Sequence, residues 1–184
     1  MPLLDRDQRD YGDRARLAVT NELKEIEWQE LMGFPELANH PLSIESMQKL
    51  ARKNAMAVLV ASAAYTRKGE RQENGQLHWR VVGGLIAPVF IGNHRRDGDI
   101  DRGRFDGQTV CEPWELVADE HEVDETFVMG SLLDGLILCR EEMQFDAIRL
   151  VVNLRDSDFI DLLTQLGFQK GTKSNRKISM IHLG

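Results

Sequence analysis

Apolar residues return at roughly helical spacing between positions 12 and 32. Leu17, Val19, Leu23, Ile26 and Leu31 carry the pattern, and Gly33 and Pro35 follow it. The spacing predicts an amphipathic helix over 12–32 that stops at the glycine and proline. Ser43 is a natural N-cap for a second, short helix ending near Lys53. The pattern then changes. Residues 55–66 are small and β-branched, which reads as a buried strand. Asn74-Gly75, inside the polar stretch 69–76, predicts a hairpin turn. Residues 77–90 form a second strand, with Pro88 near its end, where a missing N–H is tolerated. After the polar segment 92–109, residues 111–119 read as a third strand.

The last third alternates helix and strand. Leu132, Leu133, Leu136, Ile137 and Cys139 give residues 128–143 a broad apolar helical face. Residues 147–153 are a strand, with Ile148, Leu150 and Val152 on one side and Val151 on the other. Residues 156–166 are a helix, with Gly167 as its C′ glycine. Strands over 168–171 and 177–183 close the chain. The strand through Ile148 requires a right-handed parallel crossover. The expected fold is therefore α/β (α+β), a mixed sheet with helices on both faces. No internal repeat or linker divides the chain. It reads as one domain over 1–184, with an N-terminal helical part (1–54) and a sheet core (55–184).

Composition narrows the function classes. The 184 residues carry a net charge of −7 and two cysteines. The negative balance argues against nucleic acid, which calls for a basic footprint. The longest apolar run, 55–65, is far short of the ~20 residues a membrane span needs. The start, Met1-Pro2-Leu3-Leu4-Asp5, shows no export signal. Two cysteines make no disulfide framework, so a cytoplasmic location is expected, or a virion-associated one if the protein belongs to a phage.

Other chemistry is sparse. His40, His78, His94, His121 and His182 show no ligand spacing with Cys111 or Cys139, so no metal site is expected. Asp97-Gly98-Asp99-Ile100-Asp101 has the start of a calcium loop. Arg102 and Gln108 then stand where an EF-hand needs Gly and an acid, so a flexible charged loop is the better reading. Cys139 reads as a packed thiol, and Cys111 has no base beside it. Gly83-Gly84 suits sheet packing or a bulge.

Three motifs follow one another late in the chain: Gly130-Ser131-Leu132-Leu133, then Ile148-Arg149-Leu150-Val151-Val152-Asn153, then Leu163-Thr164-Gln165-Leu166-Gly167-Phe168. The succession resembles the "G-x-L-L", "L-x-V-x-x-N" and "Y-x-x-L-G-F" runs of the GNAT superfamily of N-acetyltransferases. Val82-Gly83-Gly84-Leu85-Ile86-Ala87 resembles the strand that precedes the acyl-CoA site there. The resemblance covers 55–184 by element order and about 128–171 by motif. It implies a GNAT-like sheet and acetyl-CoA as cofactor, held near Val128, Met129, Gly130, Ser131 and Asn153. It also implies an amine-bearing small molecule or protein as acceptor. Glu115 lies where many members keep a carboxylate and would act as the catalytic base, with Asp119 on the same strand face.

Two departures stand against the resemblance. The family loop Q/R-x-x-G-x-G/A is here Glu125-Thr126-Phe127-Val128-Met129-Gly130. Leu163 occupies the position of the tyrosine that protonates the leaving thiolate. A helix N-terminus stabilises an exposed anion by ~0.3–1 kcal/mol. Glu122, Asp124 and Glu125 each oppose it by about 1 kcal/mol or more at contact distance. Acetyl-CoA is therefore expected to bind weakly or not at all through this degenerate loop. Two function classes follow. One is an acyl-CoA-dependent N-acetyltransferase. The other is a non-catalytic GNAT-fold binding or assembly protein, such as a phage or bacterial structural component. Residues 92–109 are expected to form a mobile loop on the acceptor side. Lys170, Lys173, Arg176 and Lys177 are expected to form a partner-facing edge.

Overall fold

The computed structural model describes residues 15–65, 78–92, 104–119 and 124–183. The chain begins with β1 (Ala15–Thr20), α1 (Glu25–Met32), a 3-10 turn (Pro35–Leu37) and α2 (Ile44–Ala51). Four strands follow: β2 (Met56–Tyr65), β3 (His78–Ile91), β4 (Thr109–Cys111) and β5 (Glu115–Ala118). Then come α3 (Glu125–Leu138), α4 (Arg140–Met143), β6 (Ala147–Asn153), α5 (Ser157–Gln165), β7 (Gln169–Ser174) and β8 (Lys177–Leu183). The eight strands make one mixed sheet in the order β1-β2-β3-β4-β6-β8-β7, with β5 paired to β3. β4 and β6 are parallel and the other pairs antiparallel. The mixed α/β architecture expected from the sequence is the one observed.

The N-terminal reading needs correction. Residues 15–20 are a strand, and only residues 25–32 of the expected helix are helical. β1 pairs with β2 from Ala15↔Tyr65 to Thr20↔Val60. Leu17 and Val19 alternate with the period of a strand, while Val19, Leu23 and Ile26 keep helical spacing. The open edge of β2 decides between them, because unpaired strand groups need partners. Ser43 caps α2 as expected, its hydroxyl accepting from the Ser46 N–H at 3.3 Å. The stretch 69–76 lies outside the described residues, although β2 and β3 do pair antiparallel.

β2 is buried almost throughout because helices cover both sheet faces. Ala57, Leu59 and Ala61 pack on the face of α3 and α5. Met56, Val58 and Val60 pack on the opposite face with Trp28, Leu31 and Met47 of α1 and α2. The register of β2 on β3 shifts between Ala61 and Ser62, opposite Gly83 and Val81. This is the bulge expected at the glycine pair. A Cβ on Gly83 would lie 2.8 Å from the Val117 carbonyl oxygen, so β3 and β5 approach closely only because the residue is glycine.

The expected third strand is broken in two. From Cys111 to Glu115 the chain takes four steps while its partner β3 takes three, from Val89 to Ile86. The extra residue makes a bulge around Pro113, whose missing N–H suits the irregularity. β4 stays beside β6 for Val110↔Ala147 and Cys111↔Ile148. β5 then follows β3 alone, and among the described residues β6 has no strand partner on that side beyond Ile148. The sheet is therefore split between β5 and the distal half of β6.

Two further expectations change. Residues 93–103 lie outside the described residues, but 104–108 are not a free loop. Phe105 is buried with Phe90, Val110, Ala147 and Ile181, and the Gly92 N–H donates to the Gln108 carbonyl at 2.7 Å. The helix expected from 128 begins at Glu125, because Asp124 caps it by accepting from the Phe127 N–H at 3.2 Å.

Candidate functional site

The split in the sheet opens a cavity of about 520 Å³ on the α3 and α5 side. That volume suits a small ligand or a ligand's extended arm. Its apolar lining comes from both lips of the split and both helices: Trp114, Leu116, Met129, Leu150, Phe159 and Leu162. Gly130 lets the helices approach, since a Cβ there would stand 3.2 Å from Leu162 Cδ1. Glu125, Asp156, Asp158 and Arg155 also line it, at the first turns of α3 and α5. Three carboxylates thus face one guanidinium.

The apex of the split is pinned by charge. Glu112 and Arg149 are the next positions after the last β4–β6 pair. The Arg149 guanidinium forms a salt bridge to Glu112, and its Nε donates to Glu112 Oε2 at 3.2 Å. Arg149 is 5% exposed and its guanidinium carbon lies 5.9 Å from the Phe105 ring centroid. A buried charge needs such a partner.

The expected site residues divide. Glu115 is half-buried and stands in register with Ile86, on the α1 and α2 face. It therefore sits across β5 from Leu116 and the cavity. Asp119 belongs to a separate groove with Glu30, Phe34, Glu36 and Arg80, and lies 3.6 Å from Arg80. Glu115 and Asp119 stand four residue steps apart, about 13 Å of backbone at strand spacing. Met129 lines the cavity, whereas Val128 is wholly buried in the core and Ser131 is half-buried on α3. The Val128 N–H is spent on the Asp124 carbonyl at 3.1 Å. Residues 128–131 are thus ordinary helix, not an open backbone cradle. Asn153 shapes the turn before α5: its Oδ1 accepts from the Arg155 N–H at 3.1 Å.

Leu163 is fully buried, so α5 presents the cavity with Leu162 and no ionisable group at that place. Burial, first of all, raises both thiols. Cys139 is pushed up to about 12, with Glu142 adding to the effect. Cys111 goes higher still, with Cys139 and Glu112 as lesser causes. Neither supplies a thiolate nucleophile. Among the described residues no group of three or more His, Cys, Asp or Glu side chains could hold a metal ion. No described helix is long and apolar enough to cross a membrane.

Sequence reasoning missed Pro113, Trp114 and Arg155. Pro113 was the readable signal, since proline inside a strand marks an edge or a bulge. Arg155 carries no motif, and only the fold brings it to the cavity.

No family model and no curated protein matches the sequence. Solved structures do match in fold. Arabidopsis thaliana NAA60 in complex with a bisubstrate analogue aligns at a TM-score of 0.56 and 11% identity, covering 91% of this chain and 97% of that one. An acetyltransferase of the GNAT family from Streptococcus pneumoniae aligns at 0.56 and 15%, covering 92% and 100%. A chain of the NatC complex bound to Gag peptide and CoA aligns at 0.56 and 11%, covering 91% and 98%. The strand order, the parallel β4–β6 pair and these likenesses agree: the chain is a divergent protein of the GNAT fold.

Proposed function

We propose that the chain transfers an acyl group from a coenzyme A-type thioester to an amine. The observation that carries this reading is the split between β5 and β6, with its apolar cavity of about 520 Å³. The structural neighbours are N-acetyltransferases, two of them solved with CoA or a bisubstrate analogue, which supports the same reading. Trp114, Leu116, Met129, Leu150 and Leu162 would hold the pantetheine arm. That arm is narrow, largely aliphatic and amide-bearing, so an apolar slot between strands and helices fits it. When bound, the thioester supplies an activated acyl carbon.

The chain's own residues must then handle the protons. An amine arriving on the α1 and α2 face meets Glu115, which takes the proton the nitrogen loses as its bond to the acyl carbon forms. The carbon–sulfur bond breaks, and the thiolate takes a proton from water, since Leu163 has none to give. The acceptor is an amine on a small molecule or a protein terminus.

A second reading has an observation behind it. The buried Leu163, together with Asp124 capping α3, suits a GNAT-fold module kept for binding or assembly without catalysis. Turnover separates the two. Incubation of the protein with S-acetylpantetheine or acetyl-CoA and a panel of primary amines is expected to release free thiol in step with acetylated amine. Thiol release no faster than without protein, across the panel, would favour the assembly reading.

A further inference from the structure

We infer that the cleft selects its donor by the pantetheine arm and discriminates against the nucleotide end, with Glu125 as the specificity-determining residue. The inference rests on the acyl-transfer reading and names the donor class: uncharged or weakly charged acyl-pantetheine thioesters.

A diphosphate is held at a helix N-terminus by free N–H groups and by nearby cations. Both provisions are reduced at α3. The Phe127 N–H already donates to Asp124 Oδ1 at 3.2 Å, and the Val128 N–H to the Asp124 carbonyl at 3.1 Å. One of the terminal N–H groups is thus taken by a carboxylate of the chain itself, which also offsets the helix dipole. The residue that opens α3 is Glu125, one of the residues that line the cavity. Across the mouth, Arg155 is accompanied by Asp156 and Asp158. A ligand with several negative charges meets repulsion on both walls, and each like-charge pair costs about 1 kcal/mol at 4 Å in water. The apolar interior carries no such penalty. The discrimination is built by repulsion placed against one end of a ligand whose other end fits.

Calorimetry with two probes tests this. Acetyl-CoA is expected to bind the unmodified protein about fivefold or more weakly than S-acetylpantetheine, the factor that about 1 kcal/mol of repulsion sets. In Glu125→Arg the ratio is expected to move about tenfold toward acetyl-CoA, one decade per 1.4 kcal/mol. Glu125→Gln should move it part of the way. The unmodified protein offers an independent readout. Salt screens repulsion, so raising ionic strength should improve acetyl-CoA binding relative to S-acetylpantetheine, where a phosphate-gripping site would lose affinity. Acetyl-CoA binding tenfold or more tightly than S-acetylpantetheine, and weakening with salt, would overturn the inference while leaving the acyl-transfer reading intact. Failure of both thioesters to bind would overturn that reading, and the inference with it.

Discussion

Glu112→Ala should cost the fold about 3–5 kcal/mol, the loss expected when one partner of a buried ion pair is removed. Arg149 is 5% exposed and forms its salt bridge to Glu112 at the apex of the split sheet. Removing the carboxylate takes a charge partner from a largely buried guanidinium that lies beside the Phe105 ring. The cost includes the desolvation of a guanidinium that has lost this carboxylate, and so exceeds the net worth of the pair. Replacing both partners, as Glu112→Leu with Arg149→Met, should therefore recover most of the loss, because apolar packing substitutes for the pair. Urea denaturation of the single and double variants measures this. A cost under about 1 kcal/mol for Glu112→Ala would place the pair among exposed salt bridges and remove it as the pin at the apex.

Glu115→Gln should reduce turnover by about 10²–10⁴-fold, the usual contribution of a positioned general base. Glutamine keeps the shape and the hydrogen-bonding oxygen but accepts no proton at neutral pH. Donor affinity should stay near that of the unmodified protein, because Glu115 sits across β5 from the cavity that Leu116 lines. Asp119→Asn is the matched control. Asp119 belongs to the groove beside Arg80 and should change the rate by less than about threefold. Steady-state kinetics with S-acetylpantetheine decides the matter. Equal losses in the two variants, or turnover in Glu115→Gln within threefold of the unmodified protein, would remove Glu115 as the base.

Much of the sheet core was legible in the sequence because its signals are local. The buried strand through Leu59, the crossover strand through Ile148 and the C′ glycine Gly167, at φ +91°, each follow from residue type and spacing. β1 was not legible, since Val19 belongs both to strand alternation with Leu17 and to helical spacing with Leu23 and Ile26, and only the edge of β2 selects one. The break between β4 and β5 depends on one extra residue against β3, which pairing reveals and periodicity does not. The candidate site divides along the same line. Glu115 was named only through the resemblance, which expects a carboxylate on that strand. The cavity could not be named, because Trp114, Met129, Arg155 and Leu162 come from four elements and meet only in three dimensions. The charges Asp124 and Glu125 were readable, but not that Asp124 turns back to cap α3 while Glu125 lines the cavity.

The central claim is that the split between β5 and β6 receives an acyl-pantetheine arm. Calorimetric titration of S-acetylpantetheine into the unmodified protein and into Met129→Trp tests it most directly. Met129 lines the cavity from α3, so an indole there takes up room in the slot. Circular dichroism and thermal melting check that the variant keeps its fold. One molecule should bind per chain of the unmodified protein, and affinity should fall at least tenfold in Met129→Trp. No binding to the unmodified protein, or equal affinity in both, would contradict the claim.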